Sequence, residues 1–484
     1  MSSRCASDLV QTTLSEMKTQ QRIAIPLAAM NLTWFAKIAI TTAFLGRLGE
    51  LQLAGGALGL TFGNVTGYSF LYGLSSAMEP ICGQAFGAKN FKLLHKTLLM
   101  AILLLLLSSL PISVIWLNVD KILIFFGQQE EIATVTKKYM FYLIPSLVVT
   151  SFLCPLKAYL SSQNITVPTM ISATIAIAVH LPMNIVLSKA MGIAGISMAA
   201  WISDLVMVIA LIVYVLISEN GKGGKWDEGG WLEQGLEDWT KMLKLCGPCC
   251  LTTCLEWWCV EILVLLTGRL PDPKRSMGVF AIVLNFDYLL YSIMISLATC
   301  ASIRVSNELG ANRADVAYMS ARTSLGLSLV FGLIGCLVTL GARGIWGDLF
   351  SHDKGIVKGV KKTMGLMALV EVVNFPVTIC GGIVRGTARP WLGLWANLAG
   401  FYLLALPVAV ILGLKVGLGL KGLLIGFMVG MLACFGLLLI FLATIDWRVE
   451  ANKAQQLTQH VVVEGEEEKK QENKISATNG SLIN

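Results

Sequence analysis

The chain reads as an all-α polytopic membrane protein: twelve transmembrane helices in two six-helix lobes related by pseudo-twofold symmetry. Three observations lead to that class. Of 484 residues, 55% are hydrophobic and only 14% are charged, where soluble domains carry about 25% charged residues. Continuously apolar runs such as Leu98 to Trp116 recur along the chain, each close to the ~20 residues that cross a bilayer. Short motifs also repeat between the two halves at one common offset.

A backbone in lipid satisfies its polar groups only inside helices or closed barrels. Barrel strands would alternate over about ten residues, and these runs do not alternate, so helices are expected. The expected spans are 23–45, 53–78, 98–118, 139–159, 165–188, 192–217, 243–267, 277–302, 319–341, 364–384, 391–412 and 416–445. A cytoplasmic N-terminus (1–22) precedes the first lobe (23–217). A cytoplasmic linker (218–242) follows, rich in Gly, Lys and Trp, then the second lobe (243–445) and a charged tail (446–484) expected to be disordered. Residues Met1 to Gln21 are polar, with Asp8 and Glu16 ahead of any apolar run. The first span, rather than a cleavable leader, is therefore expected to direct insertion. An even number of spans puts both termini on one side, and a slight excess of Lys and Arg there favours the cytoplasm.

The repeat sets the architecture. Pro26 and Pro248 stand 222 residues apart, as do Gly46-Arg47-Leu48 and Gly268-Arg269-Leu270, and Pro168 and Pro390; Gly87-Ala88-Lys89-Asn90 and Gly310-Ala311-Asn312-Arg313 are 223 apart. Each unit holds six spans, so both halves enter the membrane in the same direction. Such lobes are related by an axis along the membrane normal, with the substrate site between them and alternating access by rocking.

Composition excludes other classes. The formal charge of +7 is spread over loops, without a basic arm carrying aromatics, so nucleic acid is not an expected partner. The twelve cysteines lie mostly in apolar spans and act as small hydrophobes. Cys246-Gly247-Pro248-Cys249 spells a redox motif, but that motif needs a βαβ setting, whereas this copy opens a membrane helix. His95, His180, His352 and His460 are scattered, and no nucleophile–base pair is visible. Neither a metal, a cofactor nor an enzymatic activity is expected.

Ionisable side chains at membrane depth are costly, and function is their default explanation. Those here are Lys37, Asp204, Glu256, Glu261, Asp287 and Glu371. Glu256 stands twelve residues after Lys244 and thirteen before Arg269, about 18 Å from either flank and so near the midplane. A carboxyl there can take up and release a proton, or meet Na⁺ or an organic cation; a structural ion pair, for instance with Lys37, is the alternative. Glu261 follows five positions on, rotated by about 140°, so an ideal helix aims it elsewhere. Glu371 has Asn374 one turn further on its face. Pro376, Gly381 and Gly382 then interrupt that span, a pattern of broken helices that line sites. Lys37, beside Trp34 and Thr41-Thr42, could hold an anion or neutralise a carboxylate, with Asp204 or Asp287 as partner. Trp257, Trp258 and Tyr288 could stack on a planar ligand.

At these residues the sequence resembles the multidrug and toxic compound extrusion (MATE) family in its plant form, over roughly residues 15–447. The resemblance rests on Phe44 through Leu51, on Gly73 through Asn90, on Cys254-Leu255-Glu256-Trp257-Trp258, on Arg304 through Ala311, and on Arg385-Gly386-Thr387-Ala388-Arg389-Pro390. It implies a V-shaped pair of lobes exporting organic compounds in exchange for H⁺ or Na⁺. Glu256 matches the family's carboxylate in its Glu-Trp-Trp motif, and Glu261 a second acid after it. Glu79 matches the acid beside the Gly-Gln-Ala-Phe-Gly stretch, at a gate or structural position shared with Gln84, Arg304, Asn307 and Glu308. Two departures stand out. Asn374 occupies the acidic position of many relatives, with Glu371 one turn away, and Thr41 stands where bacterial members carry an aspartate.

The expected function is secondary active export, by exchange for H⁺, of organic cations, secondary metabolites or weak-acid hormones. Coupling is assigned to Glu256, Glu261 and Glu371, and the substrate cavity to Lys37, Trp257, Trp258, Asp287, Tyr288 and Asn374. The expected partners are the lipid bilayer, the small organic substrate and H⁺ (or Na⁺). The chain is expected to be a monomer in the plasma membrane, with vacuolar or other endomembranes as the alternative. The competing readings are a transporter-like sensor or scaffold acting through the linker and tail, and an anion-permeable channel.

Overall fold

The computed structural model describes residues 2–220 and 235–458. No strand occurs among them, as unbroken apolar runs dictate. Ten helices are long and apolar enough to cross a membrane: α1 (Val10–Leu48 of the helix Ser2–Leu48), α5 (Phe91–Leu117), α9 (Val167–Met191), α10 (Ile193–Asn220), α11 (Leu236–Thr267), α12 (Pro273–Gly310), α13 (Ala314–Ala342), α14 (Lys354–Gly386), the run Pro390–Lys415 and α17 (Leu420–Thr444). The pair α7 (Glu130–Leu143) and α8 (Pro145–Ser162) is together long and apolar enough to cross as well, bent by 48° where Pro145 removes a backbone donor. The remaining expected span, 53–78, falls in a helical run made of α2 (Glu50–Gly63), a π-helical turn (Asn64–Tyr68), α3 (Ser69–Ser76) and α4 (Met78–Gly87). The short α6 (Val119–Phe125) links α5 to α7, and α15 (Pro390–Asn397) and α16 (Leu406–Val410) alternate with π-helical turns in the eleventh expected span.

Helix ends follow local chemistry. The Asn90 side chain caps α5 by accepting from the Leu93 N–H, and Asp353 caps α14 by accepting from Gly355 and Ile356. The repeat is visible in the backbone: Lys89 (φ 60°) and Asn312 (φ 58°) both take the left-handed conformation in the matched turns after α4 and α12. Gly192 and Gly419, both at φ 61°, likewise begin α10 and α17.

The two lobes, α1–α10 and α11–α17, meet at the end that carries Glu16 and the turns at 88–90 and 311–313. One hydrophobic core there draws on both, from Ile23 and Leu27 to Cys246, Cys249 and Ile303. The backbones of α4 and α12 almost touch. A Cβ on Gly310 would lie 2.1 Å from the Gln84 carbonyl oxygen, and one on Gly87 2.1 Å from that of Asn307. Small residues permit this approach between membrane helices. An ionic clasp lies alongside. Arg304 of α12 donates to both carboxylate oxygens of Glu16 of α1, at 2.9 and 2.8 Å, and reaches Glu308 at 2.8 Å; Arg313 takes the other Glu308 oxygen at 2.8 Å. Asn307 is buried in the same seam.

The tail departs from expectation. Residues 447–458 form a helix, α18, docked on this end rather than a disordered segment. Buried Glu450 pairs with Arg389, the Asn90 amide donates to the Thr458 carbonyl at 2.8 Å, and the Gln455 amide donates to the Gly310 carbonyl at 2.5 Å. Ala451 and Ala454 complete a core with Ala317 and Val305. The charged composition of the tail as a whole conceals this small apolar face, whose partners lie far away in sequence. The rest of the tail and most of the linker lie outside the described residues. The linker's end is already α11, with Trp239 packed on the shared core and Asp238 paired with Lys96. Of the cysteines, eleven carry free thiols among the described residues, all buried except Cys336, which is half-buried.

Two outcomes test the clasp. Arg304→Ala strands two nearly buried carboxylates and is expected to destabilise the protein by about 3–5 kcal/mol. This should be read as a lowered melting temperature in detergent, with a smaller loss for Glu16→Gln. Gly310→Val should melt lower as well, because its side chain meets backbone that cannot yield. A Gly310→Val protein melting like wild type would show that the seam is looser than the structure has it.

Candidate functional site

Above the seam, helices of both lobes enclose a cavity of about 220 Å³. From the first lobe α1 supplies Asn31 and Trp34, α3 supplies Tyr72, α4 supplies Glu79 and α8 supplies Lys157. From the second, α11 supplies Thr253, Glu256 and Trp257, α12 supplies Tyr291 and Thr299, and α14 supplies Arg385. A smaller pocket of about 60 Å³ lies behind it within the second lobe, lined by Asn374, Thr378, Asn397 and Gly381. Thr253, Glu256 and Arg385 line both.

Glu256 therefore stands on the wall between the inter-lobe cavity and the second lobe's interior. The Tyr291 hydroxyl donates to its Oε1 at a long 3.4 Å, which leaves the carboxyl with acceptor capacity. Glu79 and Arg385 tie the lobes across the cavity: Arg385 Nε lies 3.4 Å from Glu79 Oε2, and the Thr299 hydroxyl donates to Glu79 Oε1 at 3.4 Å. Glu79, expected at a gate, thus lies on the cavity wall as an inter-lobe bridge. Gln84, Arg304, Asn307 and Glu308 belong to the seam below.

Several expected cavity residues lie elsewhere. Lys37 pairs with Asp204 of α10 at 2.5 Å, rather than with Glu256 or Asp287. Beside it Thr41 meets His180 at 3.2 Å, and His180 reaches the Ala199 carbonyl oxygen at 3.2 Å. These groups form a polar cluster inside the first lobe. Of the adjacent tryptophans only Trp257 lines the cavity, its ring 5.9 Å from that of Tyr72. Trp258, one position on, points about 100° away. It donates to the Val65 carbonyl at 3.0 Å and packs on Phe70, so it joins the lobes instead. Tyr288 is exposed on the outside of the bundle. Asn374 lines the smaller pocket only.

Asp287 and Glu371 form a separate feature inside the second lobe. Glu371 is fully buried, with Asp287 close enough to interact with it electrostatically. Glu261 is half-buried on α11 and lines neither space. This is the divergence that its five-residue offset from Glu256 imposes. Sequence reasoning missed Lys157, Arg385, Tyr72 and Tyr291. Lys157 was discoverable as a single lysine in the apolar stretch Phe152 to Leu160; the tyrosines carried no signal apart from their neighbours in space.

The family model MatE matches residues 26–186 and 248–411, the two repeats. The chain is similar to Protein DETOXIFICATION 56 of Arabidopsis thaliana, 59% identical over 94% of this chain and 93% of that one. Protein DETOXIFICATION 49 of the same plant is 41% identical over 93% and 89%. Among solved structures, the eukaryotic MATE transporter AtDTX14 superposes with a TM-score of 0.87 at 31% identity, covering 92% of this chain and all of that one. The Vibrio cholerae MATE transporter VcmN matches in fold at a TM-score of 0.79 and 16% identity. An inter-lobe cavity in a duplicated helical bundle, with its carboxylate in the Glu-Trp-Trp motif, thus sits in a chain that belongs to the MATE family of efflux transporters.

Proposed function

We propose that the protein exports small organic molecules in exchange for H⁺, by alternating access of the inter-lobe cavity. One observation carries this reading: Glu256 lines the cavity where the lobes face each other and also opens onto the pocket inside the second lobe. A proton held there can neutralise the wall that substrate meets, and its loss changes the charge on the surface along which the lobes separate. The neighbouring carboxyls of Asp287 and Glu371 offer a second place for a proton in the same lobe. Glu371 in this way takes up the role of the family acid replaced by Asn374, and Glu261 is the third candidate.

The seam of α1, α4, α12 and α18 closes one end of the cavity. Exchange requires this end to open, which breaks the Glu16–Arg304 clasp and the Glu79–Arg385 bridge. With cytoplasmic termini, that end faces the cytoplasm and the structure is the cytoplasm-closed state of a monomeric carrier. The plasma membrane is the first assignment for its location.

The test is reconstitution in liposomes with an imposed pH gradient, following efflux of organic cations and weak acids. Gradient-driven flux should fall to background in Glu256→Gln while the protein melts normally. Glu371→Gln, which leaves Asp287 as an acid, should reduce flux without abolishing it. Equal flux in wild type and Glu256→Gln would move the coupling to Glu371 or Glu261. Binding without flux for every compound would favour the sensor reading, and flux indifferent to the gradient the channel.

A further inference from the structure

We propose that Lys157 and the Tyr72 hydroxyl form an anion subsite on the first-lobe wall of the cavity. The transported molecule then carries one carboxylate or sulfonate beside a flat apolar body. The inference deepens the export reading and rests on it for the word transported, though the subsite can be tested by binding alone.

Charge bookkeeping carries the argument. Three charged side chains share the first-lobe interior beside the cavity: Lys37, Lys157 and Asp204. Asp204 Oδ1 is taken by Lys37 at 2.5 Å. Lys157 lines the cavity, yet its ammonium makes no hydrogen bond or ion pair among the described residues, although Asp204, Lys37 and Cys154 lie near enough to be felt electrostatically. Two cations thus face one carboxylate, and the surplus positive charge is at the cavity wall. On the opposite wall the cation is already committed, since Arg385 bridges to Glu79. An ammonium withdrawn from water without a partner is costly, and an anion that enters beside it recovers that cost. The Tyr72 hydroxyl, also on the wall, makes no hydrogen bond among the described residues and is a second unspent donor. The Trp34 and Trp257 rings supply the flat apolar surface. An organic cation would instead add a charge of the same sign beside Lys157. Substrate charge and coupling proton then sit on different lobes, so exchange passes through the movement of the lobes rather than through competition for one carboxylate.

The test uses the full-length protein in detergent, with Trp34 and Trp257 as fluorescent reporters, and four probes: benzoate, 2-naphthoate, 1-naphthalenesulfonate and N-methylquinolinium. At least one of the anions should bind more tightly than N-methylquinolinium, which has a similar shape and opposite charge. Lys157→Met should weaken that anion by about tenfold or more, the scale of a lost hydrogen bond to a charged group, and leave the cation unweakened. Lys157→Arg should restore most of the affinity, and Tyr72→Phe should cost less than Lys157→Met. Melting curves for each variant establish folding; where Lys157→Met melts early, Lys157→Gln replaces it. Failure of all three anions to bind, a preference for the cation, or unchanged anion affinity in both neutral variants overturns the subsite. Lys157-dependent anion binding with no flux of any compound would sink the export reading alone. Gradient-driven flux of N-methylquinolinium, unchanged in Lys157→Met, would sink the anion subsite alone.

Discussion

A charge removed from water must find a partner, and most of this protein follows from where its charges do and do not find one. The helices arise because lipid offers the backbone no hydrogen bonds. Once that is settled, most ionisable side chains inside the bundle are either satisfied by another element or turned towards a space. Lys37 is satisfied by Asp204, Glu79 by Arg385, and Glu16 and Glu308 by Arg304. The partners always come from a different helix or a later turn, so each pair also fixes how two segments sit. The groups left over are Lys157 and Glu256 on the cavity wall, Glu261 on α11, and the Asp287–Glu371 pair in the second lobe.

That division separates structure from work. The paired groups concentrate at the seam, where Gly87 and Gly310 let backbones approach to a distance that no side chain would allow. A seam of this kind is bistable rather than soft: close packing and buried ion pairs are either formed or broken together, and small shifts do not spread through them. It suits a carrier that has to expose its cavity to one side at a time. The docked helix 447–458 adds a strap to the same end, bonded to α12 through Gln455 and to the cap of α5 through Asn90.

The two lobes came from one repeat, and their interiors have diverged in charge. The first lobe holds Lys37, Lys157 and Asp204; the second holds Glu256, Glu261, Asp287 and Glu371. The matched left-handed turns at Lys89 and Asn312 show the backbone symmetry surviving. Apart from the Glu79–Arg385 bridge, the cavity is therefore symmetric in construction and polar in chemistry, with Lys157 on one wall facing Glu256 on the other. A coupled carrier can use such an arrangement, because a proton on one wall and a substrate charge on the other need not contend for one atom.

The amino-acid sequence by itself determined the helical class, the long apolar helices, the repeat and the place of Glu256 midway along its helix. Each is written in local terms: an apolar run of membrane length, a common offset, or a carboxyl counted from flanking cations. The family motifs added Glu79 and the Arg304 to Ala311 segment on the same local basis. Only the tertiary structure decided which groups share a space. Neighbours along a helix point about 100° apart, so Trp257 faces the cavity while Trp258 seals the lobes. Lys37 had Glu256, Asp204 and Asp287 as possible partners until the fold set Asp204, 167 positions away, beside it. Lys157 drew no notice in the sequence until helices of both lobes placed the cavity wall around it. The tail helix looked like solvated chain until Arg389 and Asn90 supplied its partners. Pairing and exposure are properties of the assembled bundle, and a helix read alone carries neither.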